Sequence, residues 1–313
     1  MAFTFTPLNQ SWIEPASEFV NSQFPEAVAT LGKLVKIPGI AWESFDSNSL
    51  DRSAAAVAAE LEALQMFDTV EIRRSAKPDG ELGAPAIVAR RAGASDAPHV
   101  LLYAHHDVQP PGARELWKTE PFEATLIGDR LFGRGASDDK SGIITHLYSL
   151  KTLKKLASSL RLGITVFIEG EEEAGSESFP NFLRENQADL AADLIIVADS
   201  GNWSEDVPAL TTSLRAMVSQ TFTIRTLDHA VHSGMYGGPL PDATGAMIKL
   251  LATLTDEQGS VAIAGLDSIP VDGPDLSDAE FGVAAGLLPG VKRLGTKSAT
   301  QQIWGEPAVT VIG

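Results

Sequence analysis

Apolar positions along this 313-residue chain change period repeatedly, and each change predicts an element. Residues 25–36 (PEAVATLGKLVK) carry helical spacing and stop at Pro38, which cannot continue a helix. Residues 51–66 (DRSAAAVAAELEALQM) predict a second helix, alanine-rich and acidic in its first turn. Short apolar runs at 69–74, 86–91 and 99–104 then predict strands. DRLFG at 129–133 predicts one more short strand. A helix over 140–156 puts Ile143, Ile144, Leu147, Leu150 and Leu153 on one stripe. Beyond it lie a strand at 162–168, a helix near 177–187 and a strand at 194–198. Strands that are apolar throughout, alternating with helices, predict an α/β fold whose mostly parallel sheet is covered on both faces.

Near residue 213 the texture changes, and the chain divides into an expected first domain at 1–213 and a second at 214–313. Residues 216–226 alternate like a strand with one wet face. A His- and Gly-rich loop follows, and 240–254 predicts a helix. Residues 259–300, rich in Gly, Asp and Pro, show no clear period. No internal repeat appears.

Composition narrows the function classes. Against 24 basic side chains stand 41 acidic ones, a formal charge of −17, so the surface lacks the basic footprint that nucleic acid and anionic membranes require. With no cysteine there are no disulfides or thiolate ligands, and a metal would meet only nitrogen and oxygen donors. The opening MAFTFTPLNQSW has no basic region followed by an apolar stretch, so no signal peptide is expected. No run approaches the eighteen or so apolar residues of a spanning helix. The expected location is the cytoplasm.

In open parallel sheets, ligands gather beyond the carboxyl ends of the strands. The strand at 99–104 runs directly into His105, His106 and Asp107, the strand at 162–168 leads to Glu171, Glu172 and Glu173, and the strand at 194–198 leads to Asp199. GRGASDDKSG, between a short strand and a helix, adds Asp138 and Asp139. Taken singly, His-x-Asp is more often a cap, a Glu run is usually solvated surface, and Asp-Ser-Gly is often a turn. GRGASDDKS does not make a phosphate loop, because Asp139 stands where that motif needs glycine before Lys-Ser. Together, at successive strand ends, these carboxylates would repel one another unless a cation neutralised them. A divalent ion, or a pair, is the economical solution.

The stretches AHHDVQP (104–110), GRGASDDKSG (133–142), EGEEEAGSE (169–177), ADSG (198–201) and HSGMYGG (232–238) resemble the M20 family of metallopeptidases, and within it the carnosine-dipeptidase-like branch. LVKIPGIAWE (34–43) is similar to that family's N-terminal helix-to-loop segment. The resemblance implies a zinc-exopeptidase-like catalytic domain with an inserted α+β lid that dimerises. His105 would bind one metal, with Asp107 orienting its imidazole. Asp138 would bridge two metals, followed by Asp139 in a strained Asp-Asp step. Glu172 would be the general base, Glu173 a ligand of the second metal, and Asp199 a ligand of the first. His232 would reach across a homodimer to the neighbouring site and stabilise the developing oxyanion. Two divalent ions are implied; His, Asp and Glu donors suit zinc, and manganese or cobalt also fit.

The resemblance also implies features beyond those present. The histidines are 99, 105, 106, 146, 229 and 232, whereas the family pattern has a further metal-binding histidine and carboxylate-binding lid residues near its C-terminus. The expectation is therefore a longer natural protein, with the 313-residue polypeptide alone inactive and poorly soluble. The expected activity is hydrolysis of dipeptides or small peptides. Deacylation or desuccinylation of N-acyl-amino acids, or carboxypeptidase action, are alternatives within the family. A non-catalytic binding subunit is the alternative outside it, disfavoured because such a protein has no use for an unligated Glu172.

Overall fold

The computed structural model describes residues 10–157, 159–204 and 206–312. The reading of the N-terminal segment falls mostly on residues 1–9, outside the described residues. The chain resolves into two compact units, Met1–Ala209 and Leu210–Gly313.

In the first unit α1 (Ile13–Val35) and α2 (Asn48–Ala63) precede β1 (Thr69–Arg73), β2 (Ala86–Arg91) and β3 (His99–His105). A two-stranded ribbon, β4 (Thr125–Ile127) and β5 (Arg130–Phe132), leads to α3 (Lys140–Leu156). Then come β6 (Gly163–Glu169), α4 (Phe179–Glu185), α5 (Gln187–Leu190) and β7 (Leu194–Val197). The main sheet has the order β1-β2-β6-β3-β7. β6, β3 and β7 run parallel, while β1 and β2 form an antiparallel margin.

The helical stripe on α1 begins where the sequence places it, but the helix itself starts twelve residues earlier and passes through Pro25. All of its buried residues (Ala27, Thr30, Leu31, Leu34, Val35) lie beyond that proline. Apolar periodicity thus detects only the half that packs, and the missing N–H of Pro25 costs one hydrogen bond without ending the helix.

Side-chain parity divides β6 between two cores. Ile164, Val166 and Ile168 face α1, α2 and α3, together with Ile87 and Ala89 of β2 and Leu102 and Ala104 of β3. Phe167 faces the other way with Val88 and Leu101, against Phe182 of α4 and Leu190 of α5. Phe167 stacks on both Phe179 and Phe182. Each of the larger apolar side chains contributes roughly 1.5–3 kcal/mol by leaving water, so the central strands are held firmly. β7 differs, since Leu194, Ile195, Ile196 and Val197 are all exposed on the sheet margin.

Lys140 opens α3 and is 1% exposed. Its ammonium donates to the carbonyls of Leu34 (2.8 Å) and Ile37 (2.7 Å), which lie at and just beyond the C-terminal end of α1. Burial pulls its pKa down to about 7, against the pull of Asp107. Replacing it with methionine removes both donors from buried acceptors. The expected loss is about 1–3 kcal/mol of unfolding free energy, read from the denaturant midpoint of Lys140→Met; an unchanged midpoint would show that this tie contributes nothing.

Among the described residues of the second unit the α-helices are α6 (Ser233–Tyr236), α7 (Ala243–Leu251) and α8 (Asp278–Ala285), and a short π-helical turn spans Gln301–Gly305. The expected strand at 216–226 is not formed: the segment has no regular structure and is exposed save for half-buried Ile224 and Thr226. Alternation is not sufficient for a strand, which needs a neighbouring backbone to bond, and no strand pairs with this segment among the described residues. α7 occupies the core of the predicted 240–254 helix and is capped by the Asp242 carboxylate on the N–H of Gly245 (2.6 Å). α8 lies inside the stretch read as aperiodic. Its signal is a capping box, Ser277 and Glu280 exchanging hydrogen bonds at the first turn. Among the described residues no helix is long and apolar enough to cross a membrane.

Candidate metal centre

Register brings the first donors together. β3 and β6 pair in parallel, with His105 opposite Glu169, and β7 joins β3 from the other side. The segments leaving these three strands therefore start at one edge of the sheet. Gly142, in the first turn of α3, lets that helix lie against the sheet, because a Cβ there would collide with the carbonyl of Ala198 and the carboxylate of Asp139. Asp138 and Asp139, joined by a cis peptide, reach the same edge, where Asp138 faces the His105 ring and Asp139 its backbone N–H.

His105 is fully buried. Its Nδ1 lies 3.1 Å from the carbonyl of Asp107 and 3.3 Å from that residue's carboxylate. When the ring is neutral, two acceptors at Nδ1 favour the proton there and leave the Nε2 lone pair outward. Nε2 stands 3.1 Å from Asp138 Oδ1 and 3.9 Å from both Glu172 Oε2 and Asp199 Oδ2. Two sets of donor atoms lie within 4.8 Å of one another: His105, Glu172 and Asp199, and His105, Asp138 and Glu173. Donors sharing one zinc ion, each about 2.1 Å from it, stand roughly 3–4 Å apart. The nitrogen and oxygen groups present fit a divalent ion of that class.

Electrostatics agree with the geometry. Burial alone would depress His105, but Asp107, Asp139 and Asp199 overcome it and hold the imidazole up at about 10. Burial pushes Asp139 up to about 7, with Asp199 and Asp138 adding to the rise and His105 opposing it. Glu172 is also raised, first by burial, then by Asp199, Glu173 and Asp107 against the counter-pull of His105. These carboxylates compete for one imidazole, and a cation would relieve all of them.

Further hydrogen bonds hold the cluster. The Asp107 carboxylate accepts the backbone N–H groups of Glu172 (3.2 Å) and Glu173 (3.1 Å) besides facing His105. Asp139 accepts the N–H of His105 (3.0 Å). Glu171 turns away from the cluster and accepts the N–H groups of Ala84 (2.9 Å) and Ser178 (2.6 Å). Glu169 receives the hydroxyls of Tyr103 (2.7 Å) and Ser176 (2.5 Å). Burial raises Glu169 while those two hydroxyls lower it. These partners lie up to 87 positions apart in the sequence, so no local motif announces them.

The other histidines have partners of their own, His229 facing its neighbour Asp228. His106, also fully buried, faces Ser53 (3.1 Å) and the carbonyl of Pro85 (2.8 Å), and burial draws its pKa down to about 4. His146 lies 2.8 Å from the carbonyl of Tyr103, and His99 lies 2.8 Å from the Thr165 hydroxyl. His232 belongs to the second unit, where it is exposed and caps α6 by accepting the N–H of Gly234 (3.1 Å).

Comparison with known proteins gives a consistent result. Residues 101–302 match Peptidase family M20/M25/M40. The chain is 33% identical to a cysteinylglycine-S-conjugate dipeptidase of Corynebacterium striatum, over 99% of this chain and 64% of that protein. It is 28% identical to a Beta-Ala-His dipeptidase of Rattus norvegicus, over 83% of this chain and 54% of the relative. The chain thus spans between about half and two thirds of these relatives' lengths. Among solved structures, human carnosine dipeptidase 1 superposes with a TM-score of 0.63 at 23% identity, covering 88% of this chain and 61% of that one. The Saccharomyces cerevisiae di-peptidase Dug1p gives 0.68 at 20% identity, over 93% and 63%. These likenesses establish the mixed α/β fold. With the profile match over most of the chain, they establish that the chain belongs to peptidase family M20/M25/M40.

Proposed function

We propose that this chain carries the reacting edge of a metal-dependent dipeptidase. The observation that carries the reading is the convergence of one buried imidazole with the carboxylates of Asp138, Glu172, Glu173 and Asp199. The dipeptidase names of its relatives support the substrate class. His105 and Asp199 would hold one divalent ion, Glu173 a second, and Asp138 both. When bound, such ions supply Lewis acidity toward a peptide carbonyl and toward water. Zinc suits the donors, and manganese or cobalt would be accepted.

The chain's own residues do the rest. Asp107 fixes the His105 tautomer and ties down the backbone of Glu172 and Glu173. Glu172, whose side chain is 40% exposed, stands at the open face of the cluster. There it takes the proton of the attacking water and passes it to the leaving amine, the work of a general base that then acts as acid. His232, from the second unit of a homodimer partner, would donate to the developing oxyanion. The catalytic part would be 1–213 and the dimerising part 214–313.

The test is a substrate panel on purified, metal-loaded full-length protein, with and without prior dialysis against a chelator. Free dipeptides are expected to be cut in preference to N-acyl-amino acids. Chelation should abolish hydrolysis and lower the thermal midpoint, since it leaves mutually repelling carboxylates without the ligand that stabilises the fold. Hydrolysis indifferent to chelation would overturn the reading. Preference for N-acyl-amino acids would move the assignment to a deacylase of the same family.

A further inference from the structure

We infer that Gln109 is a positioning residue that sets Glu173 for metal binding, an inference resting on the reading of Glu173 as a ligand. Its Nε2 donates at 2.8 Å to the Glu173 carboxylate and at 2.9 Å to the Glu173 carbonyl. Both partners are acceptors, so the amide has a single sensible orientation and uses both of its N–H donors on one residue. Side chain and backbone of Glu173 are thus fixed relative to each other. Asp107, two positions earlier in the segment that leaves β3, receives the N–H groups of Glu172 and Glu173. Residues 107 and 109 therefore grip the 172–173 step through four hydrogen bonds, from the donor and the acceptor side together.

The choice of glutamine follows from charge. A lysine or arginine here would hold Glu173 equally well, yet would cancel the negative charge that a cation needs. A neutral amide orients the carboxylate and leaves its charge intact. It engages one carboxylate oxygen, and the Glu173 carboxylate still belongs to the donor set with His105 and Asp138. Groups that orient metal ligands in this way are worth about 10–100-fold in metal affinity.

The experiment titrates zinc into metal-free wild-type, Gln109→Met and Gln109→Lys proteins by calorimetry, with the thermal midpoint of each metal-free protein as the second readout. Gln109→Met keeps the bulk of the side chain and loses both donors. One of two binding steps is expected to weaken about tenfold or more, the other and the metal-free midpoint staying at wild-type values. Gln109→Lys keeps a donor and adds a positive charge, and should weaken the same step further. Wild-type affinity at both steps in Gln109→Met removes Gln109 from the site. Loss of both steps with a fallen midpoint in both variants assigns it to general packing instead and overturns the proposal. Wild-type affinity in Gln109→Lys refutes the argument from neutrality. Wild-type protein that takes up no zinc overturns the reading of Glu173 itself, an outcome distinct from a failure of Gln109 alone.

Discussion

Glu172→Gln is expected to lower dipeptide turnover by at least about a hundredfold, the low end for losing a general acid–base group, with bound metal unchanged. The substitution keeps the shape of the side chain and its place near His105 and Asp199, and it removes the ability to accept a proton. Paired measurement of turnover and metal content separates the two roles that proximity allows. A fall in metal would make Glu172 a ligand, and wild-type turnover would exclude it as the base. The same variant tests the role of His232. Mixed with an inactive His232→Ala protein, it should regain part of the activity through heterodimers that hold one intact pairing of the two residues. No recovery after demonstrated subunit exchange would count against action across the dimer.

Asp138→Ala is expected to weaken both metal-binding steps, by more than the roughly hundredfold upper range for residues that only orient ligands. Asp138 lies 3.1 Å from His105 Nε2 and falls within the same donor set as Glu173. As a bridging group it serves both ions, whereas Glu173→Ala should weaken mainly one. Elemental analysis after dialysis reads the difference. Full metal content in Asp138→Ala would refute a shared pair.

Most elements of the first unit were legible because burial is periodic there. The predicted helix at 140–156 coincides with α3, and the strands at 86–91, 99–104, 162–168 and 194–198 fall within a residue or so of β2, β3, β6 and β7. The residues of the candidate centre were legible for a related reason, since polar residues directly after a buried strand stand out against it. What stayed hidden depends on partners distant in sequence. Neither Gln109 nor Glu171 announces which backbone or carboxylate it will meet, and Pro25 gives no sign that a helix runs through it. In the second unit α8, the helix that lies in the aperiodic stretch, has no buried residue, so the rule that reads elements from burial has nothing to act on there.

Two adjacent histidines, both wholly enclosed, meet opposite fates at the end of β3. His105 continues the side of the pleat that Leu101 and Tyr103 occupy and meets carboxylates, while His106 continues the side of Leu102 and Ala104 and meets Ser53 of α2. Nothing in their chemistry distinguishes them, only whether their position is odd or even. Deleting a single residue inside β3 would carry His106 into the place of His105 and turn every later side chain of the strand over. Length changes within β3 that keep an imidazole among the carboxylates therefore come in twos.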